Sequence, residues 1–255
     1  MQSRLSPWFL VLTALTIVGG VLTVPGTADL ARNDHSFLLS AGLLLLVVGG
    51  WMMSLCVHEF AHAYVALRGG DTTVRAKGYL TLDIRRYADL GLSLVLPVFF
   101  LLLGGIPLPG GAVWIDHGAI RSRAVRSLVS LAGPAANLVI GAMLTTAVAF
   151  VPMPDGLALG LSALALIQVL AFVLNILPVP GLDGFGVLEP FLPYSARRVA
   201  DRVRPWAPIA LFVLILGVPG VASALLGFGA LVFSGIGGDT DLAFTGYSEL
   251  FFWRR

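Results

Sequence analysis

Two of the four histidines in this 255-residue chain stand four positions apart, in His58-Glu59-Phe60-Ala61-His62. On a helix, residues i and i+4 share a face one turn apart, so both imidazoles can converge on one Zn²⁺. Glu59 lies beside them and can serve as general base toward a zinc-bound water. The pentapeptide sits inside an apolar run. Ionisable groups at membrane depth are costly unless they line a polar cavity or bind something. A hydrogen-bonded core histidine would explain one such residue, but not two histidines and a glutamate together.

A catalytic zinc takes three protein ligands and keeps a fourth position open for water. Few further candidates lie in or near apolar segments. Asp183 is the best, within Asn175-Ile176-Leu177-Pro178-Val179-Pro180-Gly181-Leu182-Asp183-Gly184. Pro178 and Pro180 end a helix, and Gly181 and Gly184 permit irregular backbone. Such backbone is tolerated at membrane depth only against protein or a wet cavity. A broken helix end can therefore aim the Asp183 carboxylate inward; a surface turn capped by Asp183 is the alternative.

The elements that must position these groups are apolar. Hydrophobic residues make up 57% of the chain and charged residues only 12%, and mean hydropathy is +0.91. Ordinary soluble domains carry about twice that share of charge. Several runs reach the ~20 residues needed to cross a bilayer: Pro7 to Val24, about Phe37 to Leu67, the long run introduced by Arg121, Arg123 and Arg126 and reaching about Val151, and about Leu157 to Leu177. The first run is longer than a signal-peptide core and lacks a good small-x-small cleavage site, so it reads as a retained helix. Leu90 to Leu103 is short and reads as re-entrant or interfacial. Trp206 to Phe233 is interrupted at Gly217-Val218-Pro219-Gly220, giving one kinked span or a hairpin. An all-α polytopic membrane protein is expected, with one domain and about five to six transmembrane helices.

Charge orients the chain. Basic groups fall at Arg68–Arg86, Arg121–Arg126 and Arg197–Arg204, whereas Pro152–Gly156 has none and Gly26–Ser36 only Arg32. The positive-inside rule places the three clusters in the cytoplasm. The net charge is +2, and no basic tract is interleaved with aromatics, so nucleic acid is not an expected partner. The single cysteine, Cys56, excludes an intrachain disulfide and any multi-cysteine metal knuckle.

The His58–His62 motif and the Asn175–Gly184 motif together resemble the site-2 protease family of intramembrane zinc metalloproteases. Gly133-Pro134-Ala135-Ala136-Asn137 matches a third family motif, G-P-x-x-N, in the expected order. The resemblance spans about Leu43 to Gly186 and implies a catalytic core of about 37–190. It implies one Zn²⁺ held by His58, His62 and Asp183, with Glu59 as the catalytic base. Asn137 and Asn175 fall at motif positions where a polar side chain could bind the substrate backbone or the oxyanion; helix packing is their alternative role. Family members also carry a membrane-associated β-segment, which Ile106–Trp114 would supply here, and Gly78–Asp83 looks like a stretch of the compact members. The Val151–Leu157 turn leaves no room for PDZ domains, and no CBS domain is expected after Arg204. His117 reads as a surface histidine.

The resemblance implies cleavage in or near the transmembrane helix of a single-pass substrate, after another protease has trimmed its outer part. The setting would be a bacterial-type plasma membrane, with the site toward the cytoplasm. A non-catalytic regulatory protein keeping the fold is the alternative, but it would have no need of Glu59. A metal transporter would need further intramembrane carboxylates or histidines along a path, and none is evident.

Overall fold

The computed structural model describes residues 5–31, 37–87 and 113–250. Its regular elements are all helical: α1 (Pro7–Ala31), α2 (Phe37–Gly69), α3 (Thr73–Ala76), α4 (Ile84–Tyr87), α5 (Arg123–Phe150), α6 (Asp155–Asn175), α7 (Asp183–Leu188), α8 (Tyr194–Val203), α9 (Ala207–Gly217), α10 (Val221–Gly235) and α11 (Thr240–Glu249). A single 3₁₀ turn, Glu189–Phe191, joins α7 to α8. In a hydrocarbon layer only intrahelical hydrogen bonds satisfy every backbone group of a single segment, which is why apolar runs of this length become helices.

Four helices are long and apolar enough to cross a membrane: α1, α2, α5 and α6. The α9–α10 pair would make a fifth, but its halves meet at 97° across the Gly217–Gly220 break. The protein is thus a multi-pass membrane protein with four or five candidate spans. The Leu90–Leu103 run lies outside the described residues. So does the expected β-segment apart from Val113 and Trp114, and no strand forms among the described residues. One boundary differs from expectation. The polar loop expected from Gly26 starts later, because α1 continues through Pro25 to Ala31. Proline removes one amide donor, but the turns after it still satisfy their own backbone.

The packing is arranged around α6. Helices α1, α2, α5, α10 and α11 all lie against it. On one side, Leu159, Ala163, Leu164 and Ile167 of α6 meet Leu39, Leu43, Leu46 and Val47 of α2. On another, Ala165, Leu166, Val169 and Val173 meet Phe233 of α10 and Ala243 of α11. The small Ala, Gly and Ser positions of α6 let helices approach closely, which supplies the dispersion contact that drives association in lipid. The outer helices instead expose large apolar side chains, including Trp8, Ile17 and Val21 of α1 and Val213 and Leu231 of α9 and α10. A contiguous apolar exterior of this kind suits lipid and not water.

At one end of α2 a compact polar knot holds the segment that enters the site. Asp71 is buried; its Oδ1 accepts from the amide of Thr73 (2.9 Å) and the hydroxyl of Thr73 (2.6 Å), and its Oδ2 accepts from the amide of Asp116 (2.8 Å). The chain at 113–116 is thereby tied to the end of α2. Burial acts to raise the Asp71 pKa, but the donated hydrogen bonds outweigh it and hold the carboxyl below the usual range. Because the folded value is depressed, this stabilisation is full above the ordinary carboxylate pKa of about 3.9 and fades as pH falls through the folded value. Asp71→Asn should lower stability in detergent by about 1–3 kcal/mol at neutral pH. It should also flatten the loss of melting temperature below pH 4; an unchanged acid limb in thermal unfolding would contradict this role.

Candidate metal centre

The helical turn of α2 that carries the motif is buried, with His58, Glu59 and His62 each under a tenth exposed. The imidazoles meet edge to face, their centroids 4.7 Å apart, and their Nε2 atoms are 3.1 Å apart. Asp183 completes the group from a distant part of the chain. Its Oδ2 lies 3.2 Å from His58 Nε2 and its Oδ1 3.4 Å from His62 Nε2.

Local sequence explains how Asp183 arrives there. Helix α6 stops at Asn175, ahead of Pro178 and Pro180, and the chain turns through Val179 N–H to Leu177 O and Leu182 N–H to Val179 O. Gly181 takes φ +100° in this turn. Gly184 packs so tightly on the Ile176 carbonyl that any Cβ there would collide with it. The Ser127 hydroxyl donates to the Val187 carbonyl (2.7 Å), which fastens α7 to α5.

These residues fit a zinc ion. Ligand atoms at two corners of a zinc tetrahedron are roughly 3.3–3.5 Å apart when the bonds are about 2.0–2.1 Å. The three separations here, 3.1, 3.2 and 3.4 Å, are close to that edge length. The tautomer also fits. His62 Nδ1 is 2.7 Å from the Val129 carbonyl oxygen, an acceptor, so Nδ1 carries the proton. In the neutral ring the Nε2 lone pair then points into the cluster. Orienting a ligand histidine through its other nitrogen is the usual outer-shell device. His58, His62 and Asp183 can therefore hold one metal ion.

Gly133 makes the space. It lies on α5, and a Cβ built there would fall 2.5 Å from His58 Nε2 and closer still to His62 Nε2. At the first residue of the G-P-x-x-N step a helix backbone thus approaches the cluster without a side chain in the way. Four residues on, buried Asn137 has an Oδ1 without a partner. Asn137, Asn175 and Glu59 line, with the three clustered residues, a cavity of about 210 Å³. The structure thereby brings all six sequence-predicted site residues together. His117, expected at the surface, is exposed but reaches the rim of this cavity and does not join the metal-competent group.

Two contributors were missed from sequence. The Val129 carbonyl and the Val113 amide, which donates to Glu59 Oε2 at 3.1 Å, are backbone groups whose placement no residue type announces.

No family model matches the chain, and no solved structure matches it. Curated proteins do. It is 46% identical over 215 residues to "Putative zinc metalloprotease Rip2" of Mycobacterium tuberculosis, covering 84% of this chain and 81% of that one. The chain belongs to the site-2 protease family of zinc metalloproteases. Rip2 of Mycolicibacterium smegmatis is 43% identical with the same coverage. "Putative zinc metalloprotease YwhC" of Bacillus subtilis is 30% identical over 175 residues, covering 65% of this chain and 77% of that one. Zinc is the metal that suits both these relatives and the donor set.

Gly133→Ala should overpack the family's metal centre at a cost of about 1–3 kcal/mol, or roughly a ten- to hundredfold loss of zinc affinity. Zinc analysis of the purified variant, with circular dichroism to confirm unchanged helix content, checks this. Full zinc retention at wild-type affinity would mean that α5 does not press on the ligands.

Proposed function

We propose that this protein is an intramembrane zinc endopeptidase. It hydrolyses a peptide bond in or near the transmembrane helix of a single-pass membrane-protein substrate. The reading is carried by one observation: two imidazoles and a carboxylate at tetrahedral spacing, with Glu59 on the same buried turn of a candidate span.

In this proposal His58, His62 and Asp183 hold the ion. When bound, zinc supplies a Lewis acid that acidifies water and polarises a carbonyl. Glu59 takes the proton from the attacking water and returns it to the leaving amine. The Val113 amide on Oε2 fixes the carboxylate's orientation and leaves the second oxygen to carry that proton. Asn137, whose Oδ1 has no partner, accepts from a substrate amide, and Asn175 on the facing helix contributes to the same wall. Trp51 and Leu55 supply the apolar part of the cavity.

A substrate helix must unwind locally before cleavage, because its carbonyls are engaged in i to i−4 hydrogen bonds. The Ile106–Trp114 segment is proposed to receive the freed strand by edge pairing. The whole chain is read as one domain with its core at about 37–190 and five to six spans. The distribution of arginines favours a site toward the cytoplasmic side of a bacterial plasma membrane.

Zinc analysis of the detergent-purified protein tests the ligand set. About one zinc per chain is expected in wild type, with loss or a large reduction in Asp183→Ala. Full zinc in both would remove Asp183 from the set. Glu59→Gln should keep its zinc yet cleave reconstituted single-pass membrane proteins at least about a hundredfold more slowly. Cleavage at the wild-type rate would refute the base role.

A further inference from the structure

A second cavity, of about 150 Å³, lies beside the metal centre and is lined by His117, Arg126, Glu189, Arg197 and Arg204, with Gly186 and Pro190. His117 borders both cavities. Three guanidiniums thus face one carboxylate. Arg204 is accounted for: it donates to Glu189 at 2.5 Å and lies 3.6 Å from Asp201. Arg126 and Arg197 have no ion-pair partner among the described residues, and the Nε of each is buried without an acceptor. At neutral pH the lining therefore carries two uncompensated positive charges, both from arginine.

An arginine side chain has five donors and no acceptor, so two partly buried guanidiniums, each with a buried Nε lacking an acceptor, suit an oxyanion ligand. The planar guanidinium fork suits phosphate or carboxylate. The surroundings favour one source. Arg126 lies in the first turn of the candidate span α5, and Arg197 and Arg204 sit in and just after α8, beyond the end of α6. Tyr194 and Trp206, at the two ends of α8, are 74% and 70% exposed. Exposed Tyr and Trp at the end of a span mark the membrane–water interface. At that level the abundant oxyanion is the lipid phosphate, and basic pockets between helices bind anionic headgroups.

We infer that this pocket is a binding site for the phosphate of an anionic phospholipid headgroup, held by Arg126 and Arg197. It neighbours the metal cavity through His117, so the bound lipid stands beside that cavity. Rise along α5 puts Arg126 about 10 Å from Gly133.

Native mass spectrometry and thermal unfolding in a neutral detergent test this without any assay of cleavage. Phosphatidylglycerol is added against phosphatidylcholine, and inorganic phosphate is added alone. Wild type should bind phosphatidylglycerol in preference and melt at a higher temperature with it, while phosphatidylcholine and inorganic phosphate have little effect. The double variant Arg126→Gln/Arg197→Gln should bind phosphatidylglycerol at least about tenfold more weakly, the loss expected for removing charge-assisted hydrogen bonds. Arg198→Gln, an exposed neighbour outside the pocket, should bind as wild type. Zinc content and circular dichroism report folding; if the double variant does not fold, Arg197→Gln alone carries the same expectation. Equal binding of the two lipids, or an unchanged preference in the pocket variants, would overturn the proposal. A full thermal shift from inorganic phosphate, with nothing added by lipid, would reassign the pocket to free oxyanions and equally overturn it.

Discussion

Polar groups that cannot reach bulk water must satisfy one another, and in this protein that requirement falls on three side chains. His58, His62 and Asp183 are drawn from helices far apart in sequence into a group whose ligand atoms lie within 4.8 Å of one another. Each surrounding element serves that convergence. The end of α6 is broken so that Asp183 can turn inward, α5 comes close because Gly133 has no side chain, and the Val129 carbonyl sets the proton on His62. A divalent cation suits such a concentration of lone pairs.

The scaffold achieves this by placing its least adaptable helix at the centre. Helix α6 is apolar on all sides and is packed by five others, so it presents a fixed wall. Helices α2 and α5 cross it and carry the histidines and Gly133. The polar knot at Asp71 then holds residues 113–116 near the end of α2, from which the Val113 amide reaches Glu59. The base is thus oriented by the backbone of a different segment from the one that carries it.

What could be read from sequence follows from range. His58 and His62 were legible because helical periodicity alone puts them on one face. Asp183 was legible because two prolines and two glycines around an acid inside an apolar stretch have few other uses. The spans α2, α5 and α6 were found to within a few residues, since unbroken apolar length is a direct signal. Backbone contributors such as Val113 and Val129 were not, because any residue type has an amide and a carbonyl and only tertiary placement selects one. Helix α11 was not anticipated either: its sequence, Thr240–Glu249, is short and mixed in polarity, and it owes its packing to α6. The 97° bend between α9 and α10 was visible as a glycine–proline interruption, but its angle depends on neighbours.

Helix α2 has 33 residues, about 50 Å of rise against a hydrocarbon layer of about 30 Å. His58 is some 31 Å from its first residue, leaving about 16 Å beyond. The helix therefore works as a ruler. It sets the metal centre about twice as far from its first residue as from its last. A hydrolase consumes one water per bond cut, and under the proposed hydrolysis that water would have the shorter way to travel from the Gly69 end of the helix.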